Sequence, residues 1–374
     1  MRKVLLFLVA VALLVPFTLA RVQGQKVPVN VAQKTLDIYY IDVDGGKSVL
    51  FVSPSGESLL FDPGSTDARH FQGDNILKAI NEAGLQQIDY LISSHYHGDH
   101  VGNLPYLASK LPIRRFYDHG AYTTENSPGR NSGFLEWLPL REHVNVTVPQ
   151  PGEKLPIAGL DVMFVSGSGK LLKTPVPGAP GAGAPNPFCK DSPSKVQDPT
   201  PENFESLGLV LKYNNFRLLD LGDLTWNQEN QLACPNNLLG TFDVYDTSRH
   251  GTGWSGAPAL NHASRARVAV MNNGERKGGE VGTWDIIHGI PGFEDLWQNH
   301  YSVLVDKAHN PPDNMIANVD MLDHGYAFKM SVRPDGSFSM KNQRTGFVKE
   351  YPAKKAAAPT TATKTAAPSA NSSR

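Results

Sequence analysis

Residues 93–104 read SSHYHGDHVGNL and place three histidines and an aspartate within the six positions 95–100, while nine other histidines are scattered over the remaining length. An apolar core does not tolerate such a cluster unpaired, because a buried polar group without a partner costs free energy. The preceding IDYLISS is a short apolar run, the pattern of a buried strand that delivers the chain into the cluster. The following GNLPYLASKL opens a helix. His95 and His97 are separated by one residue, so an extended segment points both rings the same way. Gly98 lets the backbone turn sharply and present Asp99 and His100 at an adjacent point. Imidazoles with a carboxylate suit Zn²⁺, or Mn²⁺ and Fe²⁺ with more oxygen ligands. The four side chains thus divide into two pairs for two neighbouring metal ions.

A dinuclear site needs further ligands. RLLDLGDLTW runs an apolar strand into Asp223 ahead of a helix, and DVYDTSRHGTGWSG runs another strand into His250-Gly251. Either alone is ordinary turn chemistry; the combination, in this order, raises both.

With these residues in place the sequence resembles the metallo-β-lactamase fold superfamily, which carries H-x-H-x-D-H after a buried strand and then an aspartate and a histidine at later strand ends. It is most similar to the nuclease-like domain of the competence protein ComEC and its free-standing relatives. There an LDVGQGDS-type opening, an LIDGG-type strand end, an LLTGD and a SHHGS recur in order. This chain has IDVDGGKS at 41–48, LLFDPG at 59–64, the 93–104 stretch, NFRLLDLGD at 215–223 and DTSRHGTGWS at 246–255. The correspondence covers roughly residues 35–310. It implies an α/β fold, a four-layer αββα sandwich. It also implies that His95 and His97 hold the first metal, Asp99 and His100 the second, with Asp223 bridging and His250 completing the second site. Asp62 is the strand-end aspartate that orients ligand side chains. Many members supply a further histidine to the first metal; here PENFESLGLVL puts Asn203 at that place, a weak oxygen ligand or a neighbouring donor. Arg249 stands where relatives carry a first histidine. It is either a phosphate-facing guanidinium or a structural ion pair. Asn272 and Asn273, after the strand RVAVMNN, are expected to face substrate. His119 and His288 are candidates to line the cleft; His70, His143, His262, His300, His309 and His324 match no ligand spacing.

The rest of the chain bounds these readings. Formal charge is −1, so no global basic field recruits nucleic acid or an anionic membrane, and Arg114-Arg115 and Arg276-Lys277 read as solvated surface. MRKVLLFLVAVALLVPFTLA has the pattern of a secretory signal peptide, assigned to residues 1–24, with cleavage near Ala20 or Gly24. That places the mature protein in a secreted or periplasmic setting with no transmembrane segment. Cys189 and Cys234 are the two cysteines, and an oxidising compartment allows them to pair. KTLDIYYIDVDGGKSVLFVSPSGESLLFDPG reads as two or three antiparallel strands, DNILKAINEAG (74–84) as a helix, and YNNF as a hairpin turn. Residues 166–203 are rich in Pro, Gly and Ala and read as a long loop. Residues 353–374 form a low-complexity tail that cannot bury enough surface to fold. One catalytic domain is assigned to about 30–350.

Two metals can hold a bridging hydroxide near neutral pH, with Asp99 both ligand and the group that steers the nucleophile's proton. No G-x-S-x-G elbow offers a competing nucleophile. The expected activity is that of a dinuclear Zn²⁺- or Mn²⁺-dependent hydrolase, a phosphodiesterase or nuclease. Its substrate is then a small molecule or a phosphodiester, nucleic acid included. The alternatives are a lactamase- or lactonase-like hydrolase of a small cyclic amide or ester, and a non-catalytic binding module on the same fold. Oligomeric state is not legible in the sequence.

Overall fold

The computed structural model describes residues 35–67, 69–120, 132–320, 322 and 324–354. The signal-peptide assignment and all but the first two residues of the tail lie outside the described residues. Two sheets are stacked face to face. The first runs through β1 (Leu36–Tyr40), β2 (Val49–Val52), β3 (Ser58–Phe61), β4 (Tyr90–Ile92), β5 (Phe116–Tyr117) and β6 (Val146–Thr147) in that spatial order. The second is built from β7 (Lys154–Leu155), β8 (Asp161–Gly167), β9 (Lys170–Leu171), β10 (Gly208–Tyr213), β11 (Phe216–Asp220), β12 (Val244–Asp246), β13 (Val268–Met271), β14 (Asp295–His300) and β15 (Ile316–Asn318). The chain then returns to the first sheet as β16 (Phe328–Val332), β17 (Phe338–Asn342) and β18 (Val348–Tyr351), with β16 antiparallel to β1. β1, β2 and β3 are antiparallel, as their alternating sequence requires; β3, β4, β5 and β6 are parallel, as are β11 to β15.

The strand period of two assigns each face its layer. Leu36, Ile38 and Tyr40 of β1 join Phe164, Leu209, Leu218 and Val244 in the core between the sheets. Tyr39 and Ile41 turn the other way, into the layer of α1 (Phe71–Glu82), α3 (Leu104–Lys110) and α4 (Ser132–Arg141) with Ile76, Ile80, Leu107 and Trp137. On the far side of the second sheet Val210, Leu219 and Tyr245 pack under α5 (Trp226–Ala233), α6 (Pro258–Ser264) and α7 (Val281–His288). This is the expected αββα sandwich. α1 starts three residues before the expected 74, because the Asp67 carboxylate accepts the amides of Arg69 and Phe71 and so organises the turn that leads into it.

The 166–203 segment is less free than its composition implies. Its first two residues finish β8, and Gly167 pairs with Lys170 of β9. Farther on, Val176, Gly183 and Asn186 donate backbone hydrogen bonds to Leu238, Asn237 and Pro235, and Cys189 and Cys234 form a disulfide. Val176 and Ala179 are buried against the helical layer. The segment is tied to the α5–β12 connection, and only its last residues reach the histidine cluster.

Candidate metal centre

The cluster sits at the carboxyl ends of the central strands of both sheets, where each strand stops and its loop turns inward. β4 ends at Ile92, and Ser93 and Ser94 carry the chain to His95; the Ser94 amide (2.6 Å) and hydroxyl (2.8 Å) both donate to Asp62. Asp62 follows β3 at φ 58°, a left-handed conformation that turns its carboxylate back toward the neighbouring strand. His97 precedes the short helix α2 (Gly98–Val101), which carries Asp99 and His100. Asp223 lies two residues beyond Leu221 on a turn through Gly222 (φ 57°). His250 and the preceding Arg249 are both left-handed, at φ 57° and 50°. Such backbone costs about 1–3 kcal/mol per residue and persists where surrounding structure enforces it. Here a glycine is required opposite: a Cβ on Gly278 would lie 1.8 Å from the His250 carbonyl oxygen.

The structure brings together all six expected ligands. His95, His97 and Asp223 form one group of converging atoms, and Asp99, His100 and His250 a second, each with its ligand atoms within 4.8 Å of one another. Asp223 lies between them: one carboxylate oxygen is 3.9 Å from His95 Nε2, and the other is 3.2 Å from His100 Nε2 and 3.7 Å from His250 Nε2. His95 Nε2 and His97 Nδ1 approach to 2.9 Å, and His100 Nε2 and His250 Nε2 to 3.3 Å. Ring nitrogens facing one another beside a carboxylate form a donor set for divalent cations. The remote nitrogens are held: His95 Nδ1 by Ser94 Oγ (3.0 Å), His100 Nδ1 by Asp62 (2.7 Å) and His250 Nδ1 by the Asn272 carbonyl (2.9 Å). Each bond keeps a proton on the outer nitrogen and leaves Nε2 to face the centre.

Electrostatics agree with that set except at His100, where burial is outweighed by Asp223, Asp99 and Asp62, which hold the imidazole well above its usual range. Burial, with His100 and His97 nearby, pushes His95 well below the usual imidazole range. Burial alone favours the protonated form of Asp223, but His100 and His250 outweigh it and hold the carboxyl well below its usual range. At Asp99 burial is likewise outweighed, chiefly by Lys277 and His100, so it too is held low. His250 is lowered by burial and by Lys277. Asp99 is 25% exposed and marks the open edge of the centre, where the Lys277 ammonium pairs with it.

The other expected residues fall in different places. Asn203 is fully buried; its amide nitrogen donates to Thr200 Oγ1 (2.6 Å), while its side-chain oxygen has no hydrogen-bond partner among the described residues. Arg249 takes the structural of its two readings. Its guanidinium pairs with buried Asp198 and donates to Thr200 Oγ1 (3.0 Å), fastening the end of the 166–203 segment to the His250 turn. Asn272 and Asn273 correct the expectation of substrate contact. Both are buried, the first donating to Asp246 (2.8 Å) and the second to the His300 carbonyl (2.8 Å), because β13 continues between neighbours and its end is covered. His119 lies behind the cluster, 2.7 Å from Glu202, and His288 stacks on Trp284 at the surface.

Sequence reasoning missed Glu202. This fully buried carboxylate accepts the Tyr96 amide (2.7 Å) between the two first histidines, and so holds their backbone. Nothing in the linear pattern marks it. Lys277, a cation near the motifs in sequence, is brought to Asp99 by the hairpin from Asn272 to Gly279.

Residues 41–182 match the metallo-beta-lactamase superfamily model. A hydroxyacylglutathione hydrolase of Enterobacter sp. (strain 638) is 38% identical over 69 residues, which are 17% of this chain and 26% of that protein, so the match spans about a quarter of the relative's length. Among solved structures, the metallo-beta-lactamase fold protein YhfI of Bacillus subtilis aligns at a TM-score of 0.43 and 13% identity, over 71% of this chain and 96% of that one. CmlA, a diiron β-hydroxylase from Streptomyces venezuelae, aligns at 0.36 and 12%, over 64% and 45%.

Proposed function

We propose that the protein is a metal-dependent hydrolase with a two-ion centre, acting outside the cytoplasm on a phosphodiester. The observation that carries the reading is the meeting of His95, His97 and Asp223 with Asp99, His100 and His250 around one point, from loops after three different strands. His95, His97 and Asp223, with the buried Asn203 oxygen as a further candidate donor, would hold one ion; Asp99, His100, His250 and the other Asp223 oxygen would hold the second. Two such ions, Zn²⁺ or Mn²⁺, supply Lewis acidity and make water nucleophilic near neutral pH. Asp99, at the open edge and held ionised, accepts and steers the proton of the attacking water. Lys277 beside it presents a cation to an anionic substrate group.

The phosphodiester assignment rests on similarity to ComEC-type domains and on that lysine. A second reading, hydrolysis of a small ester, thioester or cyclic amide, draws support from the partial similarity to hydroxyacylglutathione hydrolase. The Cys189–Cys234 disulfide supports an oxidising compartment, in line with the N-terminal signal pattern. No helix among the described residues is long and apolar enough to cross a membrane.

The test is a substrate panel on the metal-loaded protein: bis-p-nitrophenyl phosphate, plasmid DNA, nitrocefin, an acyl lactone and a hydroxyacyl thioester. Phosphodiester cleavage is expected, abolished in Asp99→Ala with an unchanged circular dichroism spectrum. Turnover of nitrocefin, lactone or thioester without phosphodiester cleavage would refute the substrate class. Full activity of folded Asp99→Ala would remove Asp99 from the chemistry.

A further inference from the structure

The fully buried Lys47 takes no part in the chemistry above. It belongs to the turn between β1 and β2 of the first sheet, yet its ammonium lies 2.8 Å from Asp220 and 3.0 Å from Asp246 of the second. These aspartates are the last residues of the adjacent parallel strands β11 and β12 and are register partners. Their carboxylates therefore share one face of the second sheet, directed at the first. All three side chains are within 2% of complete burial. Burial, opposed by Lys47 but reinforced by Asp220, pushes the Asp246 carboxyl well above its usual range, and Lys47 is the cation between the two side chains.

Each aspartate also holds a loop of the candidate metal centre. Asp220 accepts the Gly222 amide (3.0 Å), fixing the turn that presents Asp223. Asp246 accepts the Asn272 side-chain amide (2.8 Å), and the Asn272 carbonyl is the group that holds His250 Nδ1 (2.9 Å). The Lys47 backbone amide donates to the Asp99 carbonyl (3.0 Å). This approach is tight, since a Cβ on Gly46 would meet that oxygen at 2.4 Å. One residue thus reaches the loops of Asp99, Asp223 and His250. His95 is held instead by Ser94, and the backbone between His95 and His97 by Glu202 through the Tyr96 amide.

We infer that Lys47 is a positioning residue for the Asp99–His100–His250 half of the centre. As an ionic rivet between the sheets, it sets where Asp223 and His250 stand relative to α2. The inference rests on the two-ion reading, and its test is a cation titration rather than turnover. EDTA-stripped full-length protein is titrated with Zn²⁺ and with Co²⁺ by calorimetry, the cobalt arm also followed by its visible absorption. Wild type is expected to take up two ions. Lys47→Met is expected to weaken the first ion, which draws only on Asp223 among the residues it positions, by less than about tenfold. The second, which draws on Asp99, Asp223 and His250, is expected to weaken by roughly 10- to 100-fold, the range for loss of a residue that orients metal ligands. Asp246→Ala leaves a balanced Lys47–Asp220 pair, so it folds even where Lys47→Met does not; it frees Asn272 and is expected to show the same selective loss. A folded variant that binds both ions like wild type, or loses both equally, overturns the role of Lys47. Failure of wild type to bind any ion would instead overturn the functional reading.

Discussion

Replacing Asp62 by asparagine tests whether proton placement on His100 is what prepares it as a ligand. Asp62 is fully buried and accepts three donors: the Ser94 amide at 2.6 Å, the Ser94 hydroxyl at 2.8 Å and His100 Nδ1–H at 2.7 Å. Asparagine keeps the shape but exchanges one acceptor for an NH₂ donor. If its oxygen stays on the Ser94 amide, the NH₂ faces both the hydroxyl and His100 Nδ1. The hydroxyl can reverse its role. His100 can do so only by moving its proton to Nε2, where the centre needs a lone pair. Restoring the ligand tautomer leaves two donors opposed in a fully buried site, a cost of about 1–3 kcal/mol. That is a weakening of roughly 5- to 150-fold in affinity for the second ion. Two assays read it: chelator competition for Zn²⁺, with the first ion as internal control, and the ¹⁵N shifts of His100 in ion-free protein at a pH high enough to leave the ring neutral, which report the tautomer directly. An Asp62→Asn variant that binds the second ion within twofold of wild type and keeps its proton on Nδ1 would refute the argument.

Two further expectations concern stability. The disulfide closes a 45-residue separation, for which the chain-entropy relation predicts about 4 kcal/mol. Cys189→Ser/Cys234→Ser should lower the guanidinium midpoint, and an unchanged midpoint would mean that the backbone bonds to 235–241 alone hold the segment. Glu229, buried under the turn that carries His250, has its carboxyl pushed up to about 7 by burial, against an ordinary 4.5. A carboxyl raised on folding contributes stability that is complete below pH 4.5 and lost as pH rises through 7, about 3 kcal/mol in all. Glu229→Gln in ion-free protein should flatten that slope in denaturant titrations at pH 4.5–8; a slope matching wild type would place the titration elsewhere.

What could be read from the linear order were features that are themselves local. The H-x-H-x-D-H run works through residue spacing and one glycine. Asp223 and His250 were legible because each follows an apolar strand, and such strands end at the same edge of an α/β sheet; Asp62 was legible through the family resemblance. Asn272 and Asn273 were misplaced by the same strand-end logic, which left Arg249 with two readings. A polar residue at a strand end reads alike whether it meets solvent or a covering loop, and here Asp198, Asp246 and the His300 carbonyl were waiting.

The sequence by itself determined the strand and helix pattern, the cysteine pair that could close, and the identity of the six side chains around the centre, because these follow from periodicity and short-range spacing. Only the tertiary structure decided how they are held. Lys47 meets Asp220 and Asp246 across two sheets, Glu202 reaches Tyr96 over 106 positions, and Lys277 reaches Asp99 over 178. A buried charge takes its partner from whatever the packing brings within a few ångströms, and chain separation carries no trace of that distance.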